Sequence, residues 1–250
     1  MTEKIDKYKV QAALVRSFFD AFSHGVIESQ MEDRNEKTTP QSVKKLMLEH
    51  YEHIAPAFFD TMFFPLAAMN YKYEDIAALA REAQQRGDDM MALVRTACGD
   101  EAYYNAMVEE YKRNFSMLLA GRYLSNADHL EGYVRKAEAE TEASVDSDRA
   151  IELTVRVVMF AYVRGLRQTG EGARFDRSAH LRQVHPLRGA TLFRLMLDAM
   201  NILLLDEAVD FADAEAADLA SLFLKVCQTQ HNFTVMTNEM DRTYSELMKE

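Results

Sequence analysis

The residues best placed to do chemistry lie between Arg164 and Arg188. Arg164, Arg167, Arg174, Arg177, Arg182 and Arg188 stand there with His180 and His185, against only Glu171 and Asp176. Guanidinium groups take up carboxylates and phosphates through paired, planar hydrogen bonds, and imidazole adds a group that titrates near neutrality. Gly165, Gly170 and Gly172 fall within the stretch, and Pro186 and Gly189 close it, so it reads as a basic Gly/Arg-rich loop. The rest of the chain has the opposite sign. Over 250 residues, 29 Lys and Arg face 40 Asp and Glu, a formal net charge of −11. That balance argues against bulk binding of nucleic acid or of an anionic membrane. The expected ligand of the loop is a protein partner's acidic segment or a phosphate-bearing small molecule. Arg174, Arg177, His180, Arg182, His185, Arg188 and, just beyond, Arg194 are the candidate anion-binding residues.

His185-Pro186-Leu187-Arg188-Gly189, followed by Arg194 and a long apolar helix, resembles the active loop of Fic-type AMP-transferases, which are all-helical. The resemblance implies a phosphate- or nucleotide-handling enzyme with His185 as base and Arg188 or Arg194 as phosphate ligand. The acid of that loop is missing here, and Ala190-Thr191-Leu192 stands at its anion-binding turn. The same segment resembles the His-x-Leu-Lys-Gly of phosphotransfer bundles, whose His sits in mid-helix. Pro186 would break a helix there and fits better in a first helical turn.

Other ligand-rich spacings point to structure. Helical di-iron sites need Glu-x-x-His to aim both ligands at one metal, and none of the seven histidines has Glu three residues before it. Glu49-His50-Tyr51-Glu52-His53 places His50 and His53 on one helix face, but zinc would need a further ligand from elsewhere. Cys227 and His231 are four apart on the expected last helix, where Cys227 reads as a packed thiol. Phosphate-binding glycine loops, HExxH and GxSxG are absent from the sequence. No catalytic residue, metal site or cofactor is assigned; an enzyme reading would use His185. Within the apolar run Leu192 to Leu205, Arg194, Asp198 and Asn201 form one polar stripe. It faces solvent, or it faces a cleft where a buried carboxylate would have a shifted pKa.

The elements that must position these groups are helices. The chain has only nine Gly and four Pro, and neither occurs from Tyr133 to Arg164 or from Ala190 to Glu250. No alternating, turn-bounded strand pattern is seen. The expected fold is an all-α multi-helix bundle with long N- and C-terminal helices and the basic loop before a buried central helix. A first helix is expected over Glu3 to Ser29, with Ile5, Tyr8, Ala12, Val15, Phe19, Phe22 and Val26 on one face. A charged linker covers Glu32 to Pro40, and a second helix runs from Gln41 to a stop at Pro56. Shorter helices fill Glu74 to Arg86 and Asp88 to Ala97, with Gly87 and Gly99 just past their ends. A long segment follows from Asp100, and Ser144 to Ser147 reads as a boundary. The last helix is expected to start at Asp213 and run unbroken, with Leu219, Leu222, Val226, Thr229, Phe233, Met236, Met240, Thr243 and Leu247 as its seam. No internal repeat is read from the sequence.

The chain is 48% hydrophobic, enough for a real core. It reads as one all-helical domain over 1–250, or as two tightly packed parts, 1–143 and 144–250. The charged N-terminal residues carry no signal-peptide core. The longest apolar run, Val157 to Val163, falls far short of the roughly 20 residues that span a bilayer. Cys98 and Cys227 are the only cysteines and read as reduced buried thiols, so a cytoplasmic protein is expected. The leading functional expectation is a non-catalytic interaction or regulatory protein, adaptor- or chaperone-like, working through the loop at 164–188. The acidic run at 206–218 is an internal competitor for that loop. A helical sensor with an apolar cavity lined by Phe58, Phe63, Met159, Phe160 and Met196 is a further expectation. The first or last helix offers a homodimer seam.

Overall fold

Asp6 starts the architecture. Its Oδ1 accepts the N–H groups of Tyr8 at 2.9 Å and Lys9 at 3.0 Å, capping the helix that follows. The computed structural model describes residues 3–34, 39–120, 144–168, 190–205 and 219–249. Among them ten helices and one two-stranded sheet are formed, so the chain is an all-α multi-helix bundle. The elements are β1 (Lys4–Asp6), α1 (Lys7–Arg34), α2 (Pro40–Glu49), α3 (Tyr51–Asn70), α4 (Tyr73–Arg86), α5 (Met90–Ala97) and α6 (Glu101–Leu119). Then come β2 (Ser144–Asp146), α7 (Ser147–Leu166), α8 (Ala190–Leu204), α9 (Leu219–Cys227) and α10 (Gln230–Leu247).

Two expected helices differ from the sequence reading at their starts and stops. The first helix yields its opening residues to β1, which pairs antiparallel with β2 at the expected boundary Ser144 to Ser147. The second does not stop at Pro56. It ends at Glu49, and α3 restarts at Tyr51 and runs through Pro56 and Pro65. The carbonyl that Pro56 deprives of a partner belongs to Glu52, in the exposed first turn, where water can take it. Gly87 and Gly99 do follow helix ends, at φ 73° and 78°.

α1 is the centre of the bundle. From Val10 to Gln30 every residue but His24 and Glu28 is buried. Its largest contact is with α7, and it also packs on α6, α8 and α3. The seam of α10 lies on α7. Of the last-helix seam, Val226, Met236, Met240, Thr243 and Leu247 are buried within the chain.

The strand register reveals what the sequence reading missed. Ile5 faces Val145, Lys4 faces Asp146 and Asp6 faces Ser144, so the pair is symmetric about Ile5 and Val145. α1 and α7 leave this pair side by side and meet again at Gly25 and Gly165. A Cβ on Gly25 would lie 2.1 Å from the Tyr162 carbonyl oxygen and 2.9 Å from the Leu166 nitrogen; on Gly165 it would lie 2.2 Å from the Phe22 oxygen and 2.8 Å from the Val26 nitrogen. The two glycines make the same contacts with equivalent residues, as a twofold axis between the helices requires.

α6 and α10, and α3 and α8, follow the same relation. Cys98, Gly99 at positive φ and the N-cap Asp100 lead into α6. Cys227, Gln228 at φ 61° and the N-cap Thr229 lead into α10. On α6, Tyr103, Met107, Glu110, Asn114 and Leu118 are buried; on α10 the same register buries Asn232, Met236, Glu239, Thr243 and Leu247. Glu110 pairs with Arg113 as Glu239 pairs with Arg242. α3 matches α8, with Ile54, Phe58 and Met62 in the places of Leu192, Met196 and Met200. Among the described residues these elements of the two halves are related by an approximate twofold axis. The same relation breaks the expected last helix. Gln228 turns the backbone left-handed, so α9 and α10 are separate and Cys227 and His231 share no helix.

Candidate functional site

Arg174, Arg177, His180, Arg182, His185 and Arg188 lie outside the described residues, as do the acidic run at 206–218 and the expected N-cap Asp213. The flanks of the basic stretch are described. Arg164, in the last turn of α7, is ion-paired to Asp60 of α3. Arg167 caps α7, and the next carbonyl, that of Gln168, accepts a hydrogen bond from Gln30 Nε2 on α1. Arg194 stands exposed in the second turn of α8.

The polar stripe on α8 is neither a plain solvent face nor wholly interior. Arg194 is exposed, Asp198 is half-buried and Asn201 is buried at 3% exposure. Periodicity puts these residues on one line, and the packing of α8 on α1 carries that line from solvent into the core. Opposite it, α1 contributes a second line. Arg16, Asp20 and His24 are spaced four apart, with Arg16 at 4% and Asp20 at 8% exposure. His24 Nδ1 donates to the Asp20 carbonyl oxygen at 2.9 Å and lies 3.9 Å from its carboxylate. Burial first and the Asp20 carboxylate second push the Asp198 carboxyl up to about 8, against the opposing pull of Arg16 and Arg194. A shifted carboxylate belonged to one of the two alternatives that the sequence left open for this stripe. The sequence reading missed Arg16, Asp20 and His24, which are spaced for a helical line but fall on a helix read only for its apolar face.

The second half holds the copy of this centre. Arg156 stands at the place of Arg16 and binds Glu239 at 3.2 Å and Glu246 at 2.9 Å. Glu239, at 3% exposure, also takes Arg242 at 3.0 Å and the Thr243 hydroxyl at 3.1 Å. Phe160 stands at the place of Asp20, and the Arg156 guanidinium lies 5.4 Å from its ring centre. Burial alone would lower the Arg156 pKa; hydrogen bonds and charge from Glu246, then Glu239, raise it overall. This centre clamps α10 to α7.

Comparison of the chain with known protein families, with curated proteins and with solved structures finds no match. The site's chemistry therefore rests on its own residues.

Other sequence candidates are placed as follows. His50 sits at the break between α2 and α3, so His50 and His53 do not share one continuous helix, and their ring centres are 6.2 Å apart. Among the described residues no group of His, Cys, Asp or Glu is arranged to hold a metal ion. His231 binds Asp148 at 2.9 Å on the surface. Cys98 and Cys227 are buried free thiols, pushed up to about 12 by burial. Phe58, Met159 and Met196 belong to the core, with Phe63 and Phe160 packed against it. No described helix is long and apolar enough to cross a membrane.

Proposed function

We propose that this chain is a non-catalytic helical regulatory protein that binds an anionic group through the basic stretch at 164–188 and Arg194. The anion is a phosphate or the carboxylates of a partner's acidic segment. One observation carries the reading: Arg194 is exposed at the end of α8 next to that stretch, and its charge acts on Asp198. An anion bound at Arg194 offsets the cation that opposes protonation of Asp198, so binding outside is felt by the ionic cluster on α1. The cluster supports regulation rather than turnover, because its groups hold helices together. The reading includes a reducing, cytoplasmic setting, in which Cys98 and Cys227 stay thiols.

Thermal unfolding against a panel of inorganic phosphate, nucleotides and acidic peptides tests this. A ligand-specific rise in Tm that is lost in Arg194→Ala and in Arg182→Ala/Arg188→Ala supports it. A flat panel, or a rise that both variants keep, contradicts it.

A further inference from the structure

α2 is pinned on one side and bare on the other. Val43, Leu46 and Met47 are buried, and the helix packs on α1 and α6. Thr39 Oγ1 accepts the Ser42 N–H at 3.1 Å and Ser42 Oγ accepts the Thr39 N–H at 2.9 Å, a reciprocal cap that fixes where the helix starts. The opposite side of this anchored helix, Gln41, Lys44, Lys45, Leu48 and Glu49, is exposed. Among the described residues these five line an open groove of about 460 Å³. Leu48 is 48% exposed, and Tyr51, at the start of α3, is 53% exposed. Charge along this face is ordered by sign. Lys44 and Lys45 precede Leu48, and Glu49 and Glu52 follow it. Lys45 reaches Glu49 at 3.9 Å along its own helix. Lys44 and Glu52, both exposed, have no ion-pair partner among the described residues.

We propose that this face is a contact between two copies of the chain, paired antiparallel across a twofold axis at Leu48. Such a contact is isologous, so that each residue pair across it occurs twice. With Leu48 on the axis, positions equally far before and after it face one another. Lys44 of one copy then meets Glu52 of the other, and Lys45 meets the Tyr51 ring. The two charges left unpaired within the chain meet their opposites around an apolar centre. This order of charges is what selects a second copy. A parallel pairing would set lysine against lysine and glutamate against glutamate, and a partner of a single sign would be repelled by one end of the face. The contact uses one short helix and the first turn of the next, so it is a small, weak interface. It involves neither the first-helix nor the last-helix seam. It requires no anion at the basic stretch and stands or falls apart from the function proposed above.

Sedimentation equilibrium of the full chain tests this. Up to about 1 mM, the range of a small interface, the parent should follow a monomer–dimer equilibrium. Lys44→Glu/Lys45→Glu makes the charges of the face acidic throughout, and Glu49→Lys/Glu52→Lys makes them basic throughout. Each variant alone should dimerise at least about tenfold more weakly than the parent, because like charges then meet across the axis. An equimolar mixture of the two should recover one-to-one dimers, which also shows that both are folded. A parent that stays monomeric over the whole range overturns the proposal. So does a parent dimer that either variant alone retains, since it would use another face, and so does a mixture that fails to associate.

Discussion

The two halves solve one packing problem with different chemistry. Both place an arginine at the same point of the central helix pair, Arg16 buried and Arg156 half-buried. The second half satisfies Arg156 with Glu239 and Glu246 and lays it against Phe160. The first half puts Asp20 in the ring's place and brings Asp198 toward it from the other repeat. The Arg156 centre is what structure alone demands, since it holds helices with strong pairs. The Arg16 centre departs from that solution at a cost in desolvated carboxylate, and such departures mark groups kept for a task.

The largest effect should come from the glycines on the axis. Gly25→Ala and Gly165→Ala each force a Cβ onto backbone atoms of the facing helix, which cannot move without parting α1 from α7. Each should destabilise the chain by about 3 kcal/mol or more in denaturant unfolding. Near-equal losses would sharpen the symmetry; tolerance at one position alone would break it. Next is the clamp. Glu239→Ala leaves Arg156 and Arg242 without their shared buried carboxylate and should cost about 3 kcal/mol in the same unfolding measurement. A loss below about 1 kcal/mol, the range of an exposed ion pair, would erase the contrast between the centres. The smallest effect concerns the helix starts. Asp6 caps α1 through the Tyr8 and Lys9 N–H groups, whereas its equivalent Asp146 makes an exposed ion pair with Lys4 at 2.7 Å. Asp6→Ala should cost about 1 kcal/mol and Asp146→Ala about half of that or less, by the same unfolding measurement.

The helical class was legible because Gly and Pro are scarce and apolar spacing is regular. Gly87 and Gly99 marked chain reversals correctly for a local reason, the freedom of glycine at positive φ. Gln228 adopts the same conformation with no such signal, so the break between α9 and α10 stayed hidden. Lining it up with Gly99, through Cys98 and Cys227, would have exposed it. The symmetry escaped notice because the shared residues are few and scattered: Arg16 with Arg156, Gly25 with Gly165, Glu110 with Glu239, Arg113 with Arg242. What the halves share is burial and backbone geometry, which many side chains satisfy. Of the site, the α8 stripe was readable from its spacing. Its partners on α1 were not, because a helix buried all round gives no apolar contrast to show which polar residues face inward.

The central claim is that Asp198 of α8 is set apart from Asp60, which stands at the equivalent place on α3 and pairs with Arg164. Carboxyl-carbon NMR of the full chain with isotopically labelled aspartate, titrated across neutral and alkaline pH, tests it most directly. One resonance should titrate with a midpoint of about 8, vanish in Asp198→Asn and persist in Asp60→Asn. A spectrum in which every aspartate has finished titrating below neutral pH would contradict the account.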